Sequence, residues 1–173
     1  QYSLTRIDFD IEGAAIANTS AINLRNEAIA QLEQEDPGLQ VSYTLPVLPT
    51  GLTSQGVALL QNAKADGASV AAVNVMAMDY GSSFPGDMAT LAEQAATATM
   101  QQVQSVWTDL STSQAYAKIA VTPMIGVNDA GTSETFSLAD ASSLASFAKS
   151  NGLAWLSMWS ATRDSECSGG AQT

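Results

Sequence analysis

The chain has 173 residues, 46 % apolar and 13 % charged, which suits one packed domain or part of one and excludes a disordered segment. Six basic residues stand against seventeen acidic ones, and a formal charge of −11 repels phosphate backbones, so nucleic acid is not an expected partner. Histidine is absent and Cys167 is the one cysteine, which excludes Ser-His-Asp and Cys-His triads, His-ligated metals and an internal disulfide, and no apolar run approaches the roughly 18 residues of a membrane span.

Arg6 to Glu12 alternates apolar and acidic residues, the pattern of a strand. Gly13 to Ser20 is a small-residue loop, and Ser20 is placed to cap a helix carrying Ile22, Ala28, Ile29 and Leu32, which Asp36-Pro37-Gly38 ends. Leu39 to Val47 is the next strand, with Leu39, Val41, Tyr43 and Leu45 alternating against Gln40, Ser42 and Thr44. A short helix from Ser54 to Ala65 stops at Asp66-Gly67. Val70 to Met78 is almost wholly apolar, as suits a parallel strand covered on both faces. After the loop Gly81 to Gly86, a long helix covers Asp87 to Leu110 with Met88, Leu91, Val103, Val106 and Leu110 on its apolar stripe. Ile119 to Ile125 is the fourth strand. Ser137-Leu138-Ala139-Asp140 resembles a capping box opening a helix that stops at Asn151-Gly152. Leu153 to Trp159 is the fifth strand, and Ser165 to Gly170 follows it.

Strands alternating with helices predict a parallel sheet with right-handed crossovers. No GxGxxG or GxxxxGK[ST] loop follows a strand, which weakens the nucleotide-binding version of an open sheet. A (β/α)8 barrel takes about 250 residues, roughly 31 per βα unit, so five units need about 156. The length therefore permits five-eighths of a barrel and not a whole one.

The strongest chemical signal is Ile7-Asp8-Phe9-Asp10-Ile11-Glu12-Gly13. Alternate strand residues share a face, so Asp8, Asp10 and Glu12 point one way and Ile7, Phe9 and Ile11 the other. A solvated edge strand or a calcium site would also carry carboxylates. The position at a strand's C-terminal end, where such folds place active sites, favours catalysis. Crowded carboxylates cannot all ionise, so a proton is shared. Glu12, nearest the loop, is best placed to donate it, Asp10 can hold the partner proton, and Asp8 sits deeper. Glycoside hydrolysis is the reaction class this layout suits.

Asp8-Phe9-Asp10-Ile11-Glu12 resembles the DxDxE core of glycoside hydrolase family 18, the chitinases and their relatives. Val73 to Gly81 looks like the sixth barrel strand of the bacterial-type chitinase branch, Val121 to Asp129 like its seventh, and Leu156 to Ser160 with Arg163-Asp164 like its eighth. The resemblance implies an α/β fold, a partial TIM (β/α)8 barrel with a parallel sheet of its fourth to eighth strands and four helices. Residues 1–173 would then be a single fragment of that catalytic domain, without the first three strands and the last helix.

It also implies roles. Glu12 would protonate the glycosidic oxygen, Asp10 would orient and stabilise the substrate's N-acetyl group, and Asp8 would support it. Trp159 matches the tryptophan that floors the sugar site, against the alternative of an ordinary core tryptophan. Two departures stand out. The longer motif starts with an aspartate where this chain has Thr5, and the usual Met-x-Tyr-Asp reads Met76-Ala77-Met78-Asp79 before Tyr80. Met76, Met78 and Tyr80 share a parity, so Tyr80 either reaches the site from one layer higher or anchors a loop. Asp79 needs the strand end to re-aim it toward substrate. The resemblance implies a secreted hydrolase of β-1,4-linked N-acetylglucosamine polymers, partnered by chitin or its oligosaccharides, with no cofactor and no metal. An endo-β-N-acetylglucosaminidase acting on N-glycans and a non-catalytic chitin-binding lectin are the alternatives.

Overall fold

The computed structural model of the protein describes residues 4–164; Cys167 and the segment from Ser165 to Gly170 lie outside them. In chain order the elements are β1 (Arg6–Asp10), α1 (Thr19–Glu35), β2 (Gln40–Leu48), β3 (Gly51–Leu52), α2 (Ser54–Asp66), β4 (Val70–Ala77), α3 (Met88–Val106), α4 (Thr112–Tyr116), β5 (Ile119–Pro123), β6 (Gly126–Asn128), β7 (Gly131–Phe136), α5 (Leu138–Asn151) and β8 (Trp155–Leu156). The main sheet runs β1-β2-β4-β5-β8, every neighbouring pair parallel. The five strands inferred from sequence thus lie side by side in chain order, as part of a TIM-type barrel requires. Among the described residues β1 and β8 are each paired on one side alone.

The sheet is curled. Laid flat, β1 and β8 would be about 19 Å apart at roughly 4.8 Å per strand. Instead the Arg6 guanidinium lies 4.9 Å from the centre of the Trp155 ring. The two end strands therefore face one another across a concave surface.

The two faces of the strands differ. The convex face carries Val41, Tyr43, Leu45, Val73, Val75, Ile119 and Val121, all buried beneath the helices. Helix α3 packs there through Ala92, Ala95, Ala96 and Val103, small residues that let it sit close to the sheet. On β2, Tyr43 donates its hydroxyl hydrogen to Asn26 Oδ1 of α1, and Asn26 Nδ2 donates to Asn62 Oδ1 of α2 at 2.6 Å. That chain ties two helices to the strand beneath them without leaving a buried amide unpaired. At the β8 end Leu156 and Met158 are exposed.

Several boundaries differ from the sequence expectation. The N-cap of α1 is Asn18, whose side chain accepts from Ala21 N, and Ser20 lies inside the helix. Asn18 precedes a residue already in helical conformation, and its amide oxygen reaches the first turn as well as a serine would. Strand β1 ends at Asp10, although Ile11 N still donates to Thr44 O at 3.0 Å, so Glu12 stands just past the ladder. The long helix stops at Val106, with Trp107 as C-cap, and a separate short helix, α4, follows; Ser111 and Gln114 form its reciprocal cap, so Leu110 belongs to the connection. Among the described residues there are accordingly five helices and not four. The fifth strand is regular only over Trp155–Leu156, and its pairing continues irregularly through Ser157 N to Val121 O and Trp159 N to Pro123 O. The antiparallel hairpin β6–β7 and the two-residue β3 were not foreseen.

Candidate active site

The concave face is polar. Asp8 and Asp10 rise from β1, Ser42 and Thr44 from β2, Asn74 and Met76 from β4, and Thr122 from β5. The register places Asp8 beside Ser42, Asp10 beside Thr44, Thr44 beside Asn74, and Met76 beside Thr122. A cavity of about 310 Å³ opens here, lined by Arg6, Asp8, Ser42, Thr44, Asn74, Trp155 and Ser157.

Asp8 is the most tightly held of the three acids. Ser42 Oγ donates to its Oδ1 at 2.5 Å and Thr44 Oγ1 to its Oδ2 at 2.7 Å. Both oxygens therefore act as acceptors, the arrangement that suits a carboxylate. Partial burial, and then the charge of Asp8, holds the Asp10 carboxyl above its ordinary value of 3.8. Glu12 is exposed at the rim, where Ala15 N takes its backbone carbonyl into a tight turn. Among the described residues no group of three or more acidic, cysteine or histidine side chains is arranged to hold a metal ion.

Trp159 is 55 % exposed and lies beside Met124 through a parallel bridge, on the same parity as Ser157 and Trp155. A core position is therefore not where the structure puts it. Met76 and Met78 are half-buried on the concave side of β4 and its extension.

Asp79 and Tyr80 are bound elsewhere. Asp79 has φ +51°, its N–H donates to Asn128 Oδ1 at 3.2 Å, and its carboxylate accepts from Ala130 N at 2.8 Å. Tyr80 is 5 % exposed, edge-on to Phe84, and its N–H donates to Glu134 Oε2 at 2.9 Å. Gly81 N donates to the other Glu134 oxygen at 2.6 Å. The β6–β7 hairpin thus clamps the loop after β4, and Tyr80 sits as an anchor of that loop. Burial, with Glu134 adding to it, pushes the Tyr80 phenol up.

Sequence reasoning did not single out Asn74, Thr122, Ser157, Arg6, Trp155 or Glu134. The inner parity of Ser42 and Thr44 was visible, and extending it to Asn74, Thr122 and Ser157 would have drawn the polar lining. Glu134 carries no local signal, because its partners lie more than fifty residues away.

No protein-family model matches the chain. Over 174 aligned residues it is 36 % identical to the probable bifunctional chitinase/lysozyme of Escherichia coli (strain K12), an alignment covering 94 % of this chain and 19 % of that protein. It is likewise 36 % identical to endochitinase 11 of Metarhizium anisopliae, over 94 % of this chain and 33 % of the relative. The crystal structure of the catalytic domain of a hyperthermophilic chitinase from Pyrococcus furiosus matches with a TM-score of 0.84 and 32 % identity, covering 94 % of this chain and 51 % of that one. Catalytic-site mutants of active domain 2 of the thermostable Pyrococcus furiosus chitinase, solved with chito-oligosaccharides, match with the same TM-score at 31 % identity. The chain is therefore a homologue of part of these chitinases. It spans about half of the solved chains and a third or less of the two curated relatives.

Proposed function

We propose that this region carries the catalytic acids of a glycoside hydrolase family 18 enzyme of the bacterial-type chitinase branch, cutting β-1,4-linked N-acetylglucosamine polymers. The observation that carries the reading is the placement of Asp8 and Asp10 on the concave side of β1, with Glu12 just past its end, Asp8 fixed by Ser42 and Thr44 and the Asp10 carboxyl raised. Chitinase homologues and a neighbour solved with chito-oligosaccharides support it. The five parallel strands read as the fourth to eighth of a barrel, and the open edges of β1 and β8 are where its other three strands would pair. Action on such a polymer supports a secreted enzyme.

A retaining glycosidase with an enzyme nucleophile sets its two carboxylates about 5–5.5 Å apart on opposite sides of the bond. Here Asp8 and Asp10 follow one another on β1, and Glu12 comes two residues after its end. The substrate's own acetamido oxygen is the nucleophile this layout allows, closing an oxazolinium ring as the C1–O bond breaks. Glu12 gives its proton to the leaving oxygen and then takes one from the attacking water. Asp10 holds the acetamido N–H and faces the developing positive charge. Trp159 offers an exposed ring to an apolar sugar face, with Met76 and Met78 beside the path of the chain.

Glu12→Gln tests this in the polypeptide that carries this sequence. Turnover of a chito-oligosaccharide should fall at least a hundredfold while binding persists, because the change removes the proton and little shape. Efficient cleavage of a plain glucoside, a covalent adduct on Asp8 or Asp10, or release of N-glycan from a glycoprotein without action on chitin would refute the reading.

A further inference from the structure

We propose that Ser157, Thr122, Asn74 and Thr44 are positioning residues that form a one-way hydrogen-bond relay across the sheet and fix Asp8 as an acceptor beneath Asp10. The catalytic meaning of the relay rests on the function proposed above; its existence does not. Thr44 Oγ1 donates to Asp8 Oδ2 at 2.7 Å and accepts from Asn74 Nδ2 at 3.0 Å. Asn74 Oδ1 accepts from Thr122 Oγ1 at 2.9 Å. Thr122 has a single hydroxyl hydrogen, so in its contact with Ser157 Oγ at 2.6 Å the serine is the donor. Four donors, three on β2, β4 and β5 and the fourth just past β8, thus point toward one carboxylate. Ser42, from the second lining position on β2, adds a fifth.

The polarity follows from the protonation of Asp8. With Asp8 ionised, every link runs toward it. Running the other way would need a proton on Asp8 Oδ2 and the Asn74 amide turned over, so that each donor becomes an acceptor. The state of the carboxylate and the direction of four bonds are therefore coupled, and a chain of aligned donors strengthens each of its members. Thr44 and Asn74 are buried, where an unmatched polar atom is costly, so the set is held as a unit.

The charged groups around Asp8 are few. Arg6, on the same strand, donates to Gln40 Oε1 at 2.8 Å and lies over Trp155. Asp10 follows on β1. From β2, β4, β5 and β8 the facing side chains are Ser42, Thr44, Asn74, Thr122, Ser157 and Trp155, all uncharged. The relay thus meets one oxygen of Asp8 and Ser42 the other, and the charge of Asp8 adds to burial in holding the Asp10 carboxyl above its ordinary value.

The test is the titration of the Asp10 side-chain carboxyl by carbon-13 NMR on the intact chain without substrate. In Thr44→Val and in Asn74→Leu the Asp10 midpoint should move down toward the ordinary carboxylate value, while Thr44→Ser, which keeps the hydroxyl, should titrate like wild type. Should an apolar variant not fold, Ser157→Ala at an exposed position removes the terminal donor and should move the midpoint the same way by less. In the active enzyme the Thr44→Val change should lower kcat about tenfold with KM little altered. An Asp10 midpoint unmoved in the folded variants, or Thr44→Ser behaving like Thr44→Val, overturns the relay. Because the titration needs no substrate, a chain that shows the shift yet cleaves no chito-oligosaccharide refutes the function and upholds the relay.

Discussion

Glu134→Gln isolates the clamp that the β6–β7 hairpin places on the loop after β4. Glu134 is 4 % exposed, and its two oxygens take the N–H groups of Tyr80 and Gly81 at 2.9 and 2.6 Å. Glutamine keeps one acceptor and turns an NH2 group toward the other N–H. One charge-assisted bond worth about 1.5–3 kcal/mol is lost, and a buried donor left facing a donor costs about 1–3 kcal/mol more. Asp79 still holds Ala130 N, so the hairpin and loop stay partly joined. A local weakening of about 3 kcal/mol is the expected net result, slightly more than two decades in an opening equilibrium. Native-state hydrogen exchange reads it directly: the Tyr80 and Gly81 amides should exchange about a hundredfold faster, while those of β2 and β4 change far less. Urea unfolding should show a smaller loss of global stability, since the loop can open by itself. Amides at Tyr80 and Gly81 as protected as in wild type would refute the view that the carboxylate holds this loop.

Two other perturbations probe the frame around the site. Gly51 has φ +107°, and a Cβ there would stand 2.6 Å from Gln102 Oε1, whose amide bonds Leu52 N at 2.8 Å and Leu52 O at 3.1 Å; Gly51→Ala should lower stability by about 2–3 kcal/mol, read as a fall in Tm, and an unchanged Tm would contradict the assignment. Burial pushes the Asp140 carboxyl up, but hydrogen bonds from the Ser137 side chain, Ser137 N and Ala89 N outweigh it and hold it below its ordinary value of 3.8. Its contribution is therefore complete above that value and lost as pH falls through the lower folded one. Asp140→Asn should cost about 1 kcal/mol at pH 7 and approach wild type in strong acid, measured by urea unfolding across pH.

Much of this architecture was legible because period-two patterning marks strands whose convex face is buried. Val41, Tyr43 and Leu45 against Ser42 and Thr44 show it on β2, and the acids against Ile7, Phe9 and Ile11 show it on β1. The capping box at Ser137 and the glycine stops at Gly67 and Gly152 were local and legible for the same reason. The β6–β7 hairpin was missed because Gly131–Phe136 is short and largely polar, and its worth lies in what it grips. Its sequence did carry a cue: Asn128-Asp129-Ala130-Gly131 reads as a turn, and Thr132, Thr135 and Phe136 after it are strand-favouring residues. At the site, the acids announced themselves by type and spacing. Asn74, Thr122 and Ser157 did not, because each is one polar residue in its own strand and only the sheet register brings them together.

The main sheet keeps its strands in chain order, and that makes the molecule a nearly linear array. Each βα unit borrows its stability from the unit before and the unit after, so disturbance spreads by nearest-neighbour steps. The array is most regular in the middle, where β2 and β4 share six paired positions, and least regular at the β8 end, where regular pairing with β5 spans two and continues irregularly to Trp159. Unzipping should therefore start at β8 and travel inward toward β4, with β1, paired with β2 over five positions, yielding later. Ser157 stands at the loose end of that zip, so the first donor of the polar chain is also the first group the fold releases.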